Sequence, residues 1–315
     1  MEESVVILHL SSTTSADVAA ELDHLRDKFG SLTLGKVLTL IVVARNNESI
    51  EAALDAADAA SLSHPCRIIA YLPDTQADVN EASLGAELRV GGEAGVSEII
   101  ILRPLGGAGA NPTSLLLPLL LPEAPVVVWW SEDAPANPAE HPIGRLANRR
   151  ITNTIAHTNP VPLLKDLAKN YTPGDTDMSW AGCTLWRGNL AAMLDEPPFE
   201  AVESARVQGS LEHASTYLMA SWLALRLDAP VTLEDSQGYG LEKITLSRAS
   251  GDLVLHRKVG ETTAEMIRPG RKTQRVRLET RTQENRLTEE LQRMVPDISY
   301  GHVLEAFGNG IIPGC

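Results

Sequence analysis

Val37-Leu-Thr-Leu-Ile-Val-Val-Ala44 is a continuous apolar run rich in β-branched residues, and an Ala-rich stretch begins two residues behind it. A strand with no polar alternation is one buried on both faces, the condition of a parallel sheet covered by helices. Asn46–Ser63 reads as the covering helix, stopped by His64-Pro65. Cys66–Leu72 is then the next strand, with Pro73-Asp74 as its turn. Strand, helix and strand in that order predict an α/β layer.

The pattern continues on both sides of this unit. Ser12-Thr-Thr-Ser-Ala-Asp17 supplies capping residues, and Val18, Leu22 and Leu25 follow at helical spacing up to Gly30. Leu84–Val90 alternates apolar and polar residues, as a half-exposed strand does. Ser97–Leu102 and Val126–Trp130 are further buried strands. Thr113–Leu121 reads as a helix despite Pro118, Pro142–Arg149 as a short helix, and Ile151–Ala156 as another strand. The first half is therefore expected to be a mostly parallel α/β domain.

The second half changes character. His157–Pro162, with two prolines, reads as the joint, giving domains 1–158 and 159–315. Val161–Asn170 and Met178–Leu194 are helices, the latter ending before Pro197-Pro198; Val202–Gly209 is a strand and Ser215–Leu227 a helix. Leu241–Arg248, Leu253–Arg257, Thr262–Ile267 and Arg275–Glu279 are short alternating runs divided by Gly251-Asp252, Gly260 and Pro269-Gly270, an antiparallel meander. Glu284–Met294 is amphipathic, and Ser299–Phe307 closes an α+β domain.

Composition narrows function. At 43% hydrophobic and 22% charged, the 315 residues have an ordinary globular composition. The net charge of −14 argues against nucleic acid, whose phosphates need cations, and against anionic membranes. Residues 1–150 hold 10 Lys+Arg and 20 Asp+Glu, so most of the acidity lies there. The start Met1-Glu-Glu-Ser is acidic where a secretory signal is basic. The most apolar window, Leu115–Trp130, is broken by three prolines and Glu123, so no membrane segment is expected. Cys66, Cys183 and Cys315 are widely separated and form no CxxC or Cys/His spacing. Free thiols, no metal and a reducing cytoplasm are expected.

Chemistry-bearing motifs are few. Gly91-Gly-Glu-Ala-Gly95 and Gly106-Gly-Ala-Gly109 each follow a strand, yet neither fits a dinucleotide or phosphate loop, and both read as turns. Asp175 and Asp177 could flank a bond or a cation, but their place before a helix favours capping. Cys183, between Gly182 and Thr184 in a helix, reads as packing. The eight His form no HExxH or HxH pair. Arg257 to Arg286 carries nine Lys+Arg against four Asp+Glu, which on a meander reads as a solvated face or a complement to an acidic partner. No cofactor and no catalytic residue is identified.

The aromatic residues carry the strongest signal of a surface or a joint. Only five Trp occur; Trp129 and Trp130 are adjacent, and Trp180 and Trp186 flank a segment that ends in Arg187. Arg145 and Arg149, four apart on the expected helix with Arg150 beside them, are the one basic cluster of the first half. Trp and Arg dominate binding hot spots. The candidate partner-binding residues are therefore Trp129, Trp130, Arg145, Arg149, Arg150, Asp175, Asp177, Trp180, Trp186 and Arg187. Two other readings stay open: the Trp fill a core, with the Arg pair bridged to Asp175 or Asp177, or Arg145, Arg149 and Arg150 hold the phosphate of a sugar phosphate in a sensor or enzyme.

Several stretches resemble one family. They are Val37–Ala44, His64-Pro-Cys-Arg-Ile-Ile69, Arg89-Val-Gly-Gly-Glu-Ala-Gly95, Leu119-Leu-Leu-Pro122 with Val128-Trp-Trp130, and Pro142-Ile-Gly-Arg-Leu-Ala147 running into Arg149-Arg-Ile-Thr152. Tyr171-Thr-Pro-Gly-Asp-Thr-Asp177 with Leu185-Trp-Arg187, and Trp222-Leu-Ala-Leu-Arg-Leu227, complete the set. The combination resembles the OpcA family, the glucose-6-phosphate dehydrogenase assembly proteins. The resemblance implies a non-catalytic cytoplasmic partner in a hetero-oligomer with glucose-6-phosphate dehydrogenase. Such a partner promotes assembly or activity of that enzyme and so NADPH production in the oxidative pentose phosphate pathway.

Overall fold

The computed structural model describes residues 6–29, 35–73, 78, 80–90 and 98–312. The Gly91–Gly95 cluster, Met1–Ser4 and Cys315 lie outside them. The chain folds as two compact units: residues 1–153 with 283–296, and residues 154–282 with 297–315. The linear reading ran its second domain from 159 to the end of the chain. The segment 283–296 instead returns to the first unit.

In the first unit, β1 (Val6–Leu10), α1 (Ser15–Phe29), β2 (Leu38–Val43), α2 (Asn47–Ser61), β3 (Cys66–Tyr71), β4 (Ser83–Val90) and β5 (Glu98–Leu105) follow one another. Then come α3 (Pro112–Leu116), β6 (Val126–Trp130) and β7 (Arg149–Thr152). Within the unit the strands lie in the order β1-β4-β5-β3-β2-β6-β7. β5, β3, β2, β6 and β7 are mutually parallel, while β4 is antiparallel to β5 and to β1. The apolar runs lie where a two-faced sheet needs them: Leu40, Ile41, Ile68, Ile69, Val127 and Val128 are fully buried. Each such side chain contributes about 1.5–3 kcal/mol on leaving water.

Several first-half readings change. Thr113–Leu121 is helical only through Leu116, then tightens to a 3₁₀ turn, Leu117–Leu119, around Pro118, which has no N–H to donate. Pro142–Arg149 contains one 3₁₀ turn, Gly144–Leu146, and Arg149 already belongs to β7. The Gly106 cluster is a 3₁₀ turn, as a turn reading requires. Gly106 has φ of 55°, and a Cβ there would stand 2.0 Å from the Glu81 carbonyl oxygen.

The buried carboxylate of Glu98 ties this unit together. Arg26 on α1 donates to both its oxygens at 2.9 Å, Arg67 on β3 donates at 3.1 Å, and Lys36 Nζ lies 2.5 Å away.

The second unit holds α4 (Pro160–Lys169), β8 (Asp175–Asp177), α5 (Met178–Gly182), α6 (Thr184–Leu194), β9 (Ser204–Gly209), α7 (Ala214–Leu227) and β10 (Val231–Asp235). The meander is present as β11 (Leu241–Ser247), β12 (Leu253–His256), β13 (Thr263–Ile267) and β14 (Gln274–Arg277). The sheet order is β10-β9-β11-β12-β13-β14, antiparallel except for the parallel pair β9–β10. Alternation buries one face: Ile244, Leu246, Leu253, Leu255, Ala264 and Met266 pack beneath Trp186, Leu190 and Met193 of α6 and Met219 and Leu223 of α7. The expected single helix Met178–Leu194 breaks at Cys183, which ends α5 and starts α6.

Two helices close the chain, α8 (Gln283–Leu291) and α9 (Ile298–Gly308). α8 packs on α2 in the first unit, where α2 offers Ala53, Ala56, Ala57 and Ala60 for close approach. α9 packs on α4 and α7 in the second unit through Tyr300, Val303, Leu304 and Phe307. The basic stretch Arg257–Arg286 is not uniformly solvated. Arg257, Arg268 and Arg286 are buried, and Arg257 donates to the carbonyls of Leu278 and Leu241, both at 3.0 Å.

Candidate functional site

Trp129 and Trp130 end β6, where successive side chains point to opposite faces, and both are buried. Trp130 meets His141 edge to face, with ring centroids 5.6 Å apart. Arg145 lies on the 3₁₀ turn, exposed and ion-paired with Glu140. That turn requires glycine at 144, where a Cβ would stand 1.8 Å from the Pro138 carbonyl oxygen. Arg149 therefore does not share a helix face with Arg145. It is buried on β7 and donates to the carbonyls of Arg293 and Val295 at 2.8 and 2.7 Å and to Glu290 at 2.8 Å. Arg150 is also buried and donates to the Ala147 carbonyl.

The remaining candidates lie in the second unit. Asp177 caps α5: its Oδ1 accepts from Ser179 N at 2.7 Å and from the Thr154 hydroxyl at 2.6 Å, and its Oδ2 accepts from Thr154 N. Asp175 accepts from Thr172 N at 2.8 Å, closing the turn before it. Trp180 donates its Nε1–H to Asp297 at 2.9 Å, and the Arg187 guanidinium stacks 3.5 Å from the centre of the Trp180 ring. Trp186 is buried against the sheet, with the Arg257 guanidinium 5.4 Å from its ring. Of the ten candidates, Arg145 alone is exposed and Arg187 is half-buried; the other eight lie in the interior of the chain.

Other groups resolve into structure rather than chemistry. Cys66 and Cys183 are both buried. Burial pushes the Cys66 thiol up to about 12, and Cys183 donates to the Ser179 carbonyl. His213 and Ser215 stand 2.7 Å apart, but Nδ1 also accepts from Ser215 N, so the contact is the N-cap of α7. Among the described residues no group of three or more His, Cys, Asp or Glu could hold a metal, and no helix is long and apolar enough to cross a membrane.

Apart from Trp130, the sequence pointed to none of the residues that line a polar cleft of the first unit. β2 and β6 are parallel neighbours, in register to Val43 and Trp130. From β2 the chain crosses to β3 on one side, whereas β6 leads to β7 on the other. Connections that leave two adjacent strands in opposite directions open a crevice at the strands' carboxyl ends. A cavity of about 480 Å³ lies at that point, walled by Val43, Ala44, Pro73 and Trp130. Arg45, Glu132, Asp133 and His141 give it its polar groups. Arg45 grips Asp133 through two hydrogen bonds of 2.6 and 2.7 Å, and this pairing raises the guanidinium pKa. Glu132 Oε2 is a buried oxygen with no hydrogen-bond partner. His141 accepts from Ile143 N through Nδ1, and burial lowers its pKa. Arg45 and Asp133 are far apart in sequence, and only their places two and three residues past a strand end could have marked them.

Two family models match the chain in tandem. One, described as the glucose-6-phosphate dehydrogenase subunit N-terminal domain, covers residues 57–169; the other, the C-terminal domain of the same subunit, covers 173–304. A curated relative, the OxPP cycle protein OpcA of Synechocystis sp., is 28% identical over 207 residues, spanning 60% of this chain and 43% of the relative. The chain thus covers under half of that relative's length. Two solved structures align over most of the chain. A myo-inositol dehydrogenase from Lactobacillus casei, bound to NAD(H) and myo-inositol, is 10% identical with a TM-score of 0.44 over 85% of this chain and 91% of its own. KijD10, a 3-ketoreductase from Actinomadura kijaniata bound to NADP, is 10% identical with a TM-score of 0.46 over 87% and 96%. At that similarity neither bears on what this chain does.

Proposed function

The chain belongs to the OpcA family of glucose-6-phosphate dehydrogenase subunits, and on that premise we propose that it is a non-catalytic subunit that binds glucose-6-phosphate dehydrogenase in the cytoplasm and promotes its assembly or activity. The observation that carries this reading is the tandem match, in which the N- and C-terminal subunit domains occur in order from residue 57 to residue 304. Through the dehydrogenase the chain would support NADPH production in the oxidative pentose phosphate pathway.

The geometry of the first unit favours this over a dinucleotide enzyme. A pyrophosphate needs glycines after the first parallel strand and free N–H groups at the next helix. Here the turn is Ala44-Arg45-Asn46, and α2 is closed by a capping box. Asn46 Oδ1 accepts from Ser49 N at 2.8 Å, and Ser49 Oγ accepts from Asn46 N at 3.3 Å. The alternative, a sugar phosphate held by Arg145, Arg149 and Arg150, loses its geometry because Arg149 points inward to Glu290.

Phe199 gives the reading a contact on the surface. It is 77% exposed, in a chain with only three Phe. Its segment is fixed on both sides: Arg248 donates to the Pro198 carbonyl at 3.0 Å, Glu200 accepts from Ser250 N at 3.1 Å, and Arg271 pairs with Glu196. A rigidly presented aromatic side chain is what a hot spot requires. We place Phe199 on a docking face of the second unit and Arg145 on a docking face of the first, each taken by itself. The test is dehydrogenase kinetics with and without the chain. A rise in kcat, a fall in KM or a larger assembly supports the reading; unchanged kinetics and no co-elution would overturn it.

A further inference from the structure

We propose that the cleft at the carboxyl ends of β2 and β6 binds an uncharged small molecule through a vicinal diol, with Glu132 and Asp133 as the acceptors. The proposal stands on the first unit alone and does not depend on the dehydrogenase reading.

Position comes first. Parallel sheets place ligands where adjacent strands send their connections in opposite directions, and β2 and β6 are that pair. Ser131 N and Oγ both donate to the Val43 carbonyl at 3.1 Å, so the two strands stay pinned up to the cleft and part beyond it. Size comes second. A volume of about 480 Å³ accommodates a monosaccharide or a nucleoside.

Charge decides the class. The polar lining holds one cation, Arg45, against two carboxylates, Glu132 and Asp133. Arg45 is already engaged through both its hydrogen bonds to Asp133. His141 is held neutral by burial, so it adds no positive charge near pH 7. A phosphate entering here would meet net negative charge and a helix start where Asn46 N and Ser49 N are already engaged in a capping box. A donor-rich neutral ligand meets the opposite. Adjacent hydroxyls can donate to the two neighbouring carboxylates, as an acidic side chain past a strand end does for ribose hydroxyls. Glu132 brings an oxygen that now lacks a partner, and a carboxylate accepting from hydroxyls forms strong, charge-assisted bonds. Trp130, Val43 and Pro73 supply an apolar wall for the carbon face of the ring.

The test uses the full chain in titration calorimetry and saturation-transfer NMR, with adenosine and glucose as probes. AMP and glucose-6-phosphate are the charged counterparts. Binding of adenosine alone assigns a nucleoside, and binding of glucose alone assigns a hexose. Either supports the proposal if the phosphorylated form binds about tenfold more weakly and Glu132→Gln weakens the neutral probe by about tenfold or more. Asp133→Asn, at an exposed position, is the second variant should Glu132→Gln fold poorly, and the same loss is expected. The proposal is overturned if neither neutral probe binds at about 10 mM. It is also overturned if the phosphorylated probe binds as well as the neutral one, or if binding survives the folded variants unchanged.

Discussion

Arg149 donates to Glu290 at 2.8 Å across 141 residues of sequence, both side chains buried in the same unit. The bond fastens β7 to the returning segment 283–296, and the carbonyls of Arg293 and Val295 complete the grip. Arg149→Ala removes all three contacts at once. The expected loss is about 3–5 kcal/mol, the range for breaking one side of a buried pair. Urea denaturation checks it. In the double variant Arg149→Met, Glu290→Leu the loss should be smaller than the sum of the single losses, because no charge is then left stranded in the interior.

Trp180 is expected to behave as a structural residue of the second unit. Trp180→Ala should cost about 3–5 kcal/mol through lost packing. Trp180→Phe keeps most of the ring but strips Asp297 of the indole donor, at about 1–2 kcal/mol. Thermal melts of the two variants separate packing from the hydrogen bond. A Trp180→Ala chain that melts like the wild type would return this residue to the surface.

Phe199→Ser tests the docking surface from the other side. With 77% of the residue already in water, the melting temperature should move by no more than about 1–2 °C. Association with glucose-6-phosphate dehydrogenase should weaken by about tenfold or more if Phe199 is an anchor. Surface plasmon resonance measures it, and an unchanged affinity removes Phe199 from the interface.

Cys66 sets an alkaline limit. Its folded pKa, about 12, lies above its ordinary value of 9.0 because burial disfavours the thiolate. The folded state therefore retains a proton that the unfolded chain releases, so the stability tied to this thiol is full below pH 9 and declines as pH rises toward 12. The stability difference between wild type and Cys66→Ala, followed across that window by urea titration, should move against the wild type. At neutral pH a thiol reagent should modify Cys66 only after denaturation.

Isolated chain mixed with glucose-6-phosphate and NADP should give no NADPH absorbance. Calorimetry should find no micromolar NADP site, since the turn after β2 carries no glycine and the start of α2 is already capped. A micromolar site would overturn the non-catalytic reading.

Much of the fold was legible in the chain because period is a local property. Val126–Trp130 and the meander strands occur within a residue or two of their expected bounds, and α2 starts at its Asn46 cap. Where the reading failed, a non-local contact decided. Pro142–Arg149 has helix-compatible spacing, yet Arg149 pairs through β7 with β6 and cannot remain helical. Met178–Leu194 has no internal proline, yet it divides at Cys183. β10 alternates in Val231-Thr-Leu-Glu, but the run is too short to stand out, and it is fixed by parallel pairing with β9.

The sequence by itself determined the class, an α/β layer followed by a meander with its helices, because apolar runs and turn residues encode which faces must leave water. It also carried the family, in the segments around Trp129, Arg149, Asp175 and Trp186. Only the tertiary structure decided that Trp129, Trp130, Trp180, Trp186, Arg149 and Arg150 are interior and Arg145 is not, since burial depends on what other segments bring to a residue. It alone returned 283–296 to the first unit. It also assembled a cleft from Arg45 and Asp133, 88 residues apart, because strand order and not chain order decides which strand ends are neighbours.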